Sequence, residues 1–446
     1  MSDRRFGPGP ALRGTLRPPP DKSISHRAAI LAAMGEGTTR IHGYLDAADT
    51  AATLAAIEAV GARVEPDPAG EARDGFDLTI EGVGMRGAAS ASIDVGNAGT
   101  LLRILPGWLA GQGRGEWTLD GDESIRRRPV DRIARPLTAM GATVECRDGR
   151  VPPLHLAGAS LRGTAHRLEI ASAQVKSCLL LAALLAAGPS TVTEPAPSRD
   201  HTERMLRAAR VPVTSRELRT VPGVGGPPAR EIGVGPIERL ELEAVDVPGD
   251  FSSAAFFVAA AAIVPGSELR IEAVGLNPTR IGLLGILNRM GAAVVIEQEG
   301  VGPGGEPRGT LVARHAPLEG TRVHPEEVAV TIDELPLVAL VGCFADGETV
   351  VEGAGELRRK ESDRIAGVVE GLGALGAEIA ATDDGFVVAG SGALRGGPID
   401  ARGDHRLAML GAIAGLASSE GVEVSGFDAV GVSYPGFEAD LGGLSS

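Results

Sequence analysis

The chain has 446 residues, 43% of them apolar and only 3% aromatic, and carries a formal net charge of −15 with a pI near 5.1. That length exceeds what one hydrophobic core usually serves, so two domains are expected, and the apolar share excludes a disordered chain. An acidic chain with few rings argues against nucleic acid, an anionic membrane surface, or a stacking platform for a flat cofactor.

The first ten residues, MSDRRFGPGP, lack an apolar signal region. The longest apolar runs, Cys178–Ala187 and Ala254–Val264, are too short to cross a bilayer, so a cytoplasmic protein with no membrane partner is expected. Cys146, Cys178 and Cys343 stand at unrelated spacings that fit neither a disulfide framework nor a zinc signature. They read as small buried hydrophobes in a reducing compartment, and no metal is expected.

Along the chain, six segments open on a polar cap-type residue and continue as helices rich in Ala, Leu and Ile. They are Ser25–Met34, Asn97–Ala110, Ser172–Ala187, Ser252–Val264, Asp333–Phe344 and Asp404–Ala417, recurring with a period of roughly 75 residues. Each is followed by a Gly turn and a short β-branched run: Thr38–His42, Glu116–Leu119, Thr191–Thr193, Glu268–Ile271, Thr349–Val351 and Val422–Val424. A charged loop then enters a second, amphipathic helix, with related starts at Asp131-Arg132-Ile133, Glu203-Arg204-Met205, Thr279-Arg280-Ile281 and Asp363-Arg364-Ile365. Four of these second helices end at Gly-Ala, at Gly61, Gly141, Gly291 and Gly376, where Gly lets the chain leave through a left-handed residue. The pattern predicts a βαβαββ-like unit repeated six times, its first helix buried all round and its second covering the outside. Val245-Asp246-Val247-Pro248-Gly249-Asp250 reads as a hinge, and a second crossover is expected near Pro18-Pro19-Pro20.

Six helix starts offer free backbone N–H groups, each a ready anion site. Beside them lie the chain's three lysines, Lys22, Lys176 and Lys360, out of 43 basic residues. Where arginine serves almost everywhere else, a surviving ammonium is a candidate for work a guanidinium cannot do, such as proton donation. Asp21-Lys22-Ser23-Ile24-Ser25-His26-Arg27 and Arg358-Arg359-Lys360-Glu361-Ser362-Asp363-Arg364 are the densest polar clusters. Together they point to an anionic substrate and acid–base chemistry.

Those clusters resemble the 5-enolpyruvylshikimate-3-phosphate synthase family of enolpyruvyl transferases. The resemblance runs end to end. It also takes in Gly96-Asn97-Ala98-Gly99-Thr100, Arg127-Arg128-Pro129, Ser172-Ala173-Gln174, Ile332-Asp333-Glu334, Asp404-His405-Arg406 and Ser433-Tyr434-Pro435-Gly436-Phe437. It implies an α/β (α+β) fold of two similar domains, each of three βαβαββ repeats with buried helices, closing over an interdomain cleft. The shikimate 3-phosphate domain is expected over 22–245, and the phosphoenolpyruvate and catalytic domain over 1–21 plus 246–446, with hinges near 21 and 246.

By the same resemblance, shikimate 3-phosphate is expected at Lys22, Ser23, Arg27, Ser172, Ala173, Gln174, Ser198, Asp333 and Lys360. Phosphoenolpyruvate is expected at Lys22, Asn97, Gly99, Arg128, Gln174, Arg364 and Arg406. Asp333, placed at the cap of the fifth buried helix, is the expected general base, with Glu361 and Lys22 as further proton carriers. Arg126 and Arg127 are expected in solvent, and Lys176 in a structural role that arginine could fill. No cofactor is implied, and a monomer is expected. Where some relatives carry a Lys in the C-terminal motif, this chain has Val432. Gly99 stands where certain relatives tolerant of the inhibitor glyphosate have Ala, which implies a glyphosate-sensitive protein.

Two other readings stay open at this point. UDP-N-acetylglucosamine enolpyruvyl transferases share the fold but usually carry a reactive Cys where this chain has Glu123. A non-catalytic, anion-binding repeat scaffold would account for the repeat alone. The Gly82–Gly87 match to a dinucleotide-binding pattern is discounted, since no helix follows it directly.

Overall fold

The computed structural model describes residues 3–72, 75–218 and 228–444. The chain forms two compact units. One holds residues 20–247 and 301–306; the other holds 1–19, 248–300 and 307–446.

The first unit contains helices α1 (Lys22–Met34), α2 (Ala48–Ala59), α3 (Gly99–Ala110), α4 (Asp131–Met140), α5 (Ala173–Ala183) and α6 (His201–Ala208). The second contains α7 (Phe251–Ile263), α8 (Gly282–Arg289), α9 (Pro325–Val328), α10 (Leu335–Gly342), α11 (Arg364–Ala374), α12 (His405–Ala417) and α13 (Phe437–Leu444). As the sequence predicts, the apolar helices are interior. All thirteen residues of α7 are buried, and so are eleven of the thirteen in α1. A helix without a polar stripe has nowhere else to go. In the first unit α1, α3 and α5 build the core, where the Trp108 indole N–H, fully buried, is satisfied by the Met85 carbonyl at 2.9 Å. In the second, α7, α10 and α12 do the same, and Phe256, Phe257, Tyr434 and Phe437 pack ring against ring.

Each unit also carries three sheets among the described residues. The second repeat shows the design in sequence order. Ala91–Asp94 runs into α3 and returns as Glu116–Asp120, parallel to it. Then α4 leads to the hairpin of Thr143–Arg147 and Val151–Ala157, which adds antiparallel beside Glu116–Asp120. Gly61, Gly141, Gly291 and Gly376 all take positive φ at the exits of second helices.

Three features depart from six contiguous βαβαββ units. The first repeat lacks a strand before α1, and Ala244–Asp246 fills that place, parallel to Glu36–Leu45. The fourth repeat lacks one before α7, and Arg13–Leu16 fills it, parallel to Glu268–Gly275. The sixth repeat has no closing hairpin; Arg4–Phe6 pairs antiparallel with Val422–Ser425 and makes a three-stranded sheet with Gly397–Asp400. The N-terminal segment therefore completes two sheets of the second unit.

Candidate active site

In the first unit, Pro18-Pro19-Pro20 delivers the chain to Asp21, whose carboxylate accepts from the Ile24 N–H at 2.9 Å and caps α1. Lys22 and Ser23 sit half-exposed on the first turn, and every later residue of α1 is buried. The Lys22 ammonium bonds Asp49 at 3.0 Å, on the first turn of α2. His26 is fully buried with Nδ1 2.6 Å from Thr53 Oγ1, and burial pushes it down to about 3. Arg27 is 3% exposed and threefold anchored, to Thr202 Oγ1 at 3.0 Å, the Ser23 carbonyl at 2.9 Å and Ser177 Oγ at 3.1 Å.

At α3 the Gly96 backbone has φ of 56°, a turn that suits glycine. Asn97 bridges Asp122 at 2.6 Å and Arg128 at 2.8 Å. A methyl group at Gly99 would lie 2.5 Å from Arg128 Nη1 and 3.3 Å from Arg103 Nη1. Two guanidinium groups therefore converge beside the positive end of α3. Arg103 also bonds Gln174 Oε1 at 3.0 Å, while Gln174 Nε2 reaches Thr100 at 3.0 Å. Ser172 caps α5, with Ala173 as its first residue. The first turns of α5 thus tie α3, through Gln174, to α1, through the Ser177–Arg27 bond.

In the second unit the Asp333 carboxylate accepts from Lys360 and Arg364, each at 3.2 Å, and its backbone carbonyl accepts from Arg406 at 3.1 Å. Arg364, 1% exposed, also holds Glu361 at 2.6 Å and Asp404 at 2.8 Å. Burial alone would weaken the Arg364 charge, but Asp404, Glu361 and Asp333 more than offset it and raise its pKa. Burial likewise opposes the Asp404 charge, yet Arg364 and His405 hold that carboxyl below its usual range. Asp404 also caps α12, accepting from the Arg406 N–H at 2.9 Å. The result is a carboxylate, Asp333, fixed among three cations.

Several expectations change. Asp333 does not cap the fifth buried helix: α10 begins at Leu335 with Glu334 at the cap position, and a turn over Thr331–Glu334 frees Asp333 to face Lys360. The first helix is capped by Asp21 and the fourth buried helix by Asp250. Arg126 stays exposed to solvent, as expected, and forks there onto Asp120 with contacts of 2.7–3.1 Å. The Ser198 hydroxyl, expected to bind phosphate, donates to Glu194, because that fully buried carboxylate requires donors. Lys176 is fully buried with three acceptors around its ammonium, so it is no site for a bulkier arginine. Val432 lies in the short helical turn Phe427–Val432.

Sequence reasoning missed Asp49, Arg103, Thr202 and Glu203. Arg103 left a signal, a cation one turn into an otherwise apolar helix. The others left none, since their partners are distant in sequence. No helix among the described residues is long and apolar enough to cross a membrane, and no group of metal-ligating side chains occurs there.

A family model described as "EPSP synthase (3-phosphoshikimate 1-carboxyvinyltransferase)" matches residues 7–441. The 3-phosphoshikimate 1-carboxyvinyltransferase of Synechococcus sp. (strain WH7803) is 44% identical over 99% of this chain and 98% of its own length. That of Acidithiobacillus ferrooxidans (strain ATCC 53993 / BNL-5-31) is 46% identical over 97% and 95%. Among solved structures, EPSP synthase from Acinetobacter baumannii superposes with a TM-score of 0.84 at 37% identity, covering 100% of this chain and 98% of that one. The enolpyruvyl transferase NikO from Streptomyces tendae shares the fold at 19% identity and a TM-score of 0.74. With a match over nearly its whole length, and a partly buried carboxylate–cation cluster built from the motifs that carry the resemblance, this chain belongs to the EPSP synthase family of enolpyruvyl transferases.

Proposed function

We infer that this chain transfers the enolpyruvyl group of phosphoenolpyruvate to the 5-hydroxyl of shikimate 3-phosphate and releases phosphate. The observation that carries the reading is Asp333, an acceptor held by Lys360, Arg364 and Arg406 within a chain that matches the family end to end. In the first step the Asp333 carboxylate takes the hydroxyl proton as that oxygen bonds to C2 of phosphoenolpyruvate, while C3 gains a proton from an acid. In the second, the C2–O bond to phosphate breaks as C3 returns a proton, and the enol ether forms. Lys22 and Glu361 are the proposed carriers at C3.

Lys22, Ser23, Arg27, Ser172, Ala173 and Gln174 are proposed to bind shikimate 3-phosphate, joined by Asp333 and Lys360, while the Ser198 hydroxyl is held by Glu194 instead. Asn97, Gly99, Arg128 and Arg406 are proposed to bind phosphoenolpyruvate, with Lys22 and Gln174 shared. Arg364 would contribute the N–H of Nη1 that its three carboxylates leave unused. Preorganised donors of this kind are each worth about 3–4 kcal/mol at a developing charge. We further propose a cytoplasmic monomer whose first unit serves shikimate 3-phosphate and whose second unit serves catalysis, as the family resemblance implies.

Phosphate release from phosphoenolpyruvate tests the reading. Shikimate 3-phosphate should support turnover and UDP-N-acetylglucosamine should not, in keeping with Glu123 where the latter's enzymes carry Cys. Turnover with the sugar nucleotide alone, or with neither acceptor, would overturn it. Asp333→Asn should remove activity while leaving the protein folded.

A further inference from the structure

Behind the phosphate end of the site lies a buried ionic cluster that the chemistry above does not use. Lys176, on α5, is fully buried, and its three ammonium hydrogens meet three acceptors: Glu203 Oε1 at 2.8 Å, Glu194 Oε1 at 3.1 Å and the Ser198 carbonyl at 3.2 Å. Glu194, also fully buried, takes both the Ser198 N–H and the Ser198 hydroxyl. Every polar atom of Ser198 is therefore committed to this cluster.

The neighbouring rung reaches the ligand site. Lys176 precedes Ser177, and Thr202 precedes Glu203. The Lys176–Glu203 ion pair and the Ser177–Thr202 hydrogen bond, at 2.7 Å, are thus consecutive staples between α5 and α6. Ser177 and Thr202 are two of the three groups that anchor Arg27. These anchors occupy three of its five N–H groups and leave one on each Nη for an anion. Burial draws the Arg27 guanidinium down to about 10, and Glu203 is the strongest charge opposing that effect. Glu203 Oε2 is buried with no hydrogen-bond partner. Lys176 pairs with both Glu194 and Glu203, and Glu203 acts on Arg27 together with Arg199, Asp21 and Glu306.

We propose that Lys176 is a positioning residue for the phosphate of shikimate 3-phosphate: by holding Glu203 it keeps that carboxylate from capturing Arg27, whose free N–H groups then face the ligand. The proposal rests on the assignment of Arg27 to that phosphate. Without Lys176, Glu203 is a buried carboxylate within electrostatic reach of Arg27, and an unpaired buried charge will seek a counter-charge. Turning Arg27 toward Glu203 withdraws it from the substrate while leaving phosphoenolpyruvate, bound by other side chains, unaffected.

Steady-state kinetics on the full-length protein, varying each substrate in turn, tests this. Lys176→Met should raise KM for shikimate 3-phosphate about tenfold or more, with KM for phosphoenolpyruvate within about twofold. Adding Glu203→Gln to that variant removes the competing charge and should return KM for shikimate 3-phosphate to within about threefold of the parent. A merely structural lysine would not be rescued by a second polar change in the core. Unchanged KM for shikimate 3-phosphate in Lys176→Met, equal losses for both substrates, or no rescue by Glu203→Gln would each overturn the proposal. If Lys176→Met does not fold, Lys176→Gln, which keeps a donor but no charge, should give the same pattern. A parent protein that releases no phosphate with the two substrates would fail the functional reading instead, and that measurement comes first.

Discussion

Gly99→Ala isolates the electrostatics at the start of α3. Gly99 does not take positive φ, so the backbone accepts alanine without strain, and folding should be unaffected or slightly favoured. The added methyl would sit 2.5 Å from Arg128 Nη1. Arg128 must then retreat by roughly 1 Å to reach ordinary van der Waals separation. That retreat strains its 2.8 Å bond to Asn97 and moves its charge away from the anion it is proposed to bind. A charge-assisted hydrogen bond is worth about 1.5–3 kcal/mol, so KM for phosphoenolpyruvate should rise roughly 10- to 150-fold if most of it is lost. Glyphosate is longer than phosphoenolpyruvate and should be excluded more strongly, so competition by glyphosate should weaken by a larger factor than substrate binding. Phosphate release at varied phosphoenolpyruvate, with and without glyphosate, reads both quantities, and a thermal melt controls for folding. A variant with KM and glyphosate inhibition both within twofold of the parent would refute the convergence of Arg128 and Gly99 on one ligand.

Three further outcomes are expected. Lys22→Arg keeps the charge beside Asp49 but gives up a transferable proton, so kcat should fall about 10²- to 10⁴-fold; near-normal kcat would remove Lys22 from the chemistry. His26 is pushed down to about 3 by burial, so the unfolded chain takes up its proton first as pH drops below about 6.5. Stability from this group is complete above that pH and should fall by about 2 kcal/mol between pH 7 and pH 5, a slope that His26→Asn should lose in denaturant melts. Thiol alkylation at neutral pH should leave activity intact, because burial raises all three thiols, Cys343 to about 12; rapid, substrate-protected inactivation would point to a Cys-dependent relative.

The sequence alone determined the repeat, the buried helices and most of the charged residues proposed for the site. Those properties are local. An apolar helix such as Phe251–Ile263 has no exposed face to offer, Gly141 and Gly376 mark helix exits by their conformational freedom, and Lys22 stands out by composition. Only the tertiary structure decided what depends on partners far apart in the chain. It brought Arg13–Leu16 beside Glu268–Gly275, and Ala244–Asp246 beside Glu36–Leu45, because a strand at a crossover pairs with whichever edge its unit leaves open. It turned Asp333 out of the cap position and into the reach of Lys360 and Arg364. It also committed Ser198 to Glu194, and Lys176 to Glu203, since charges taken out of water must find one another wherever the fold has put them.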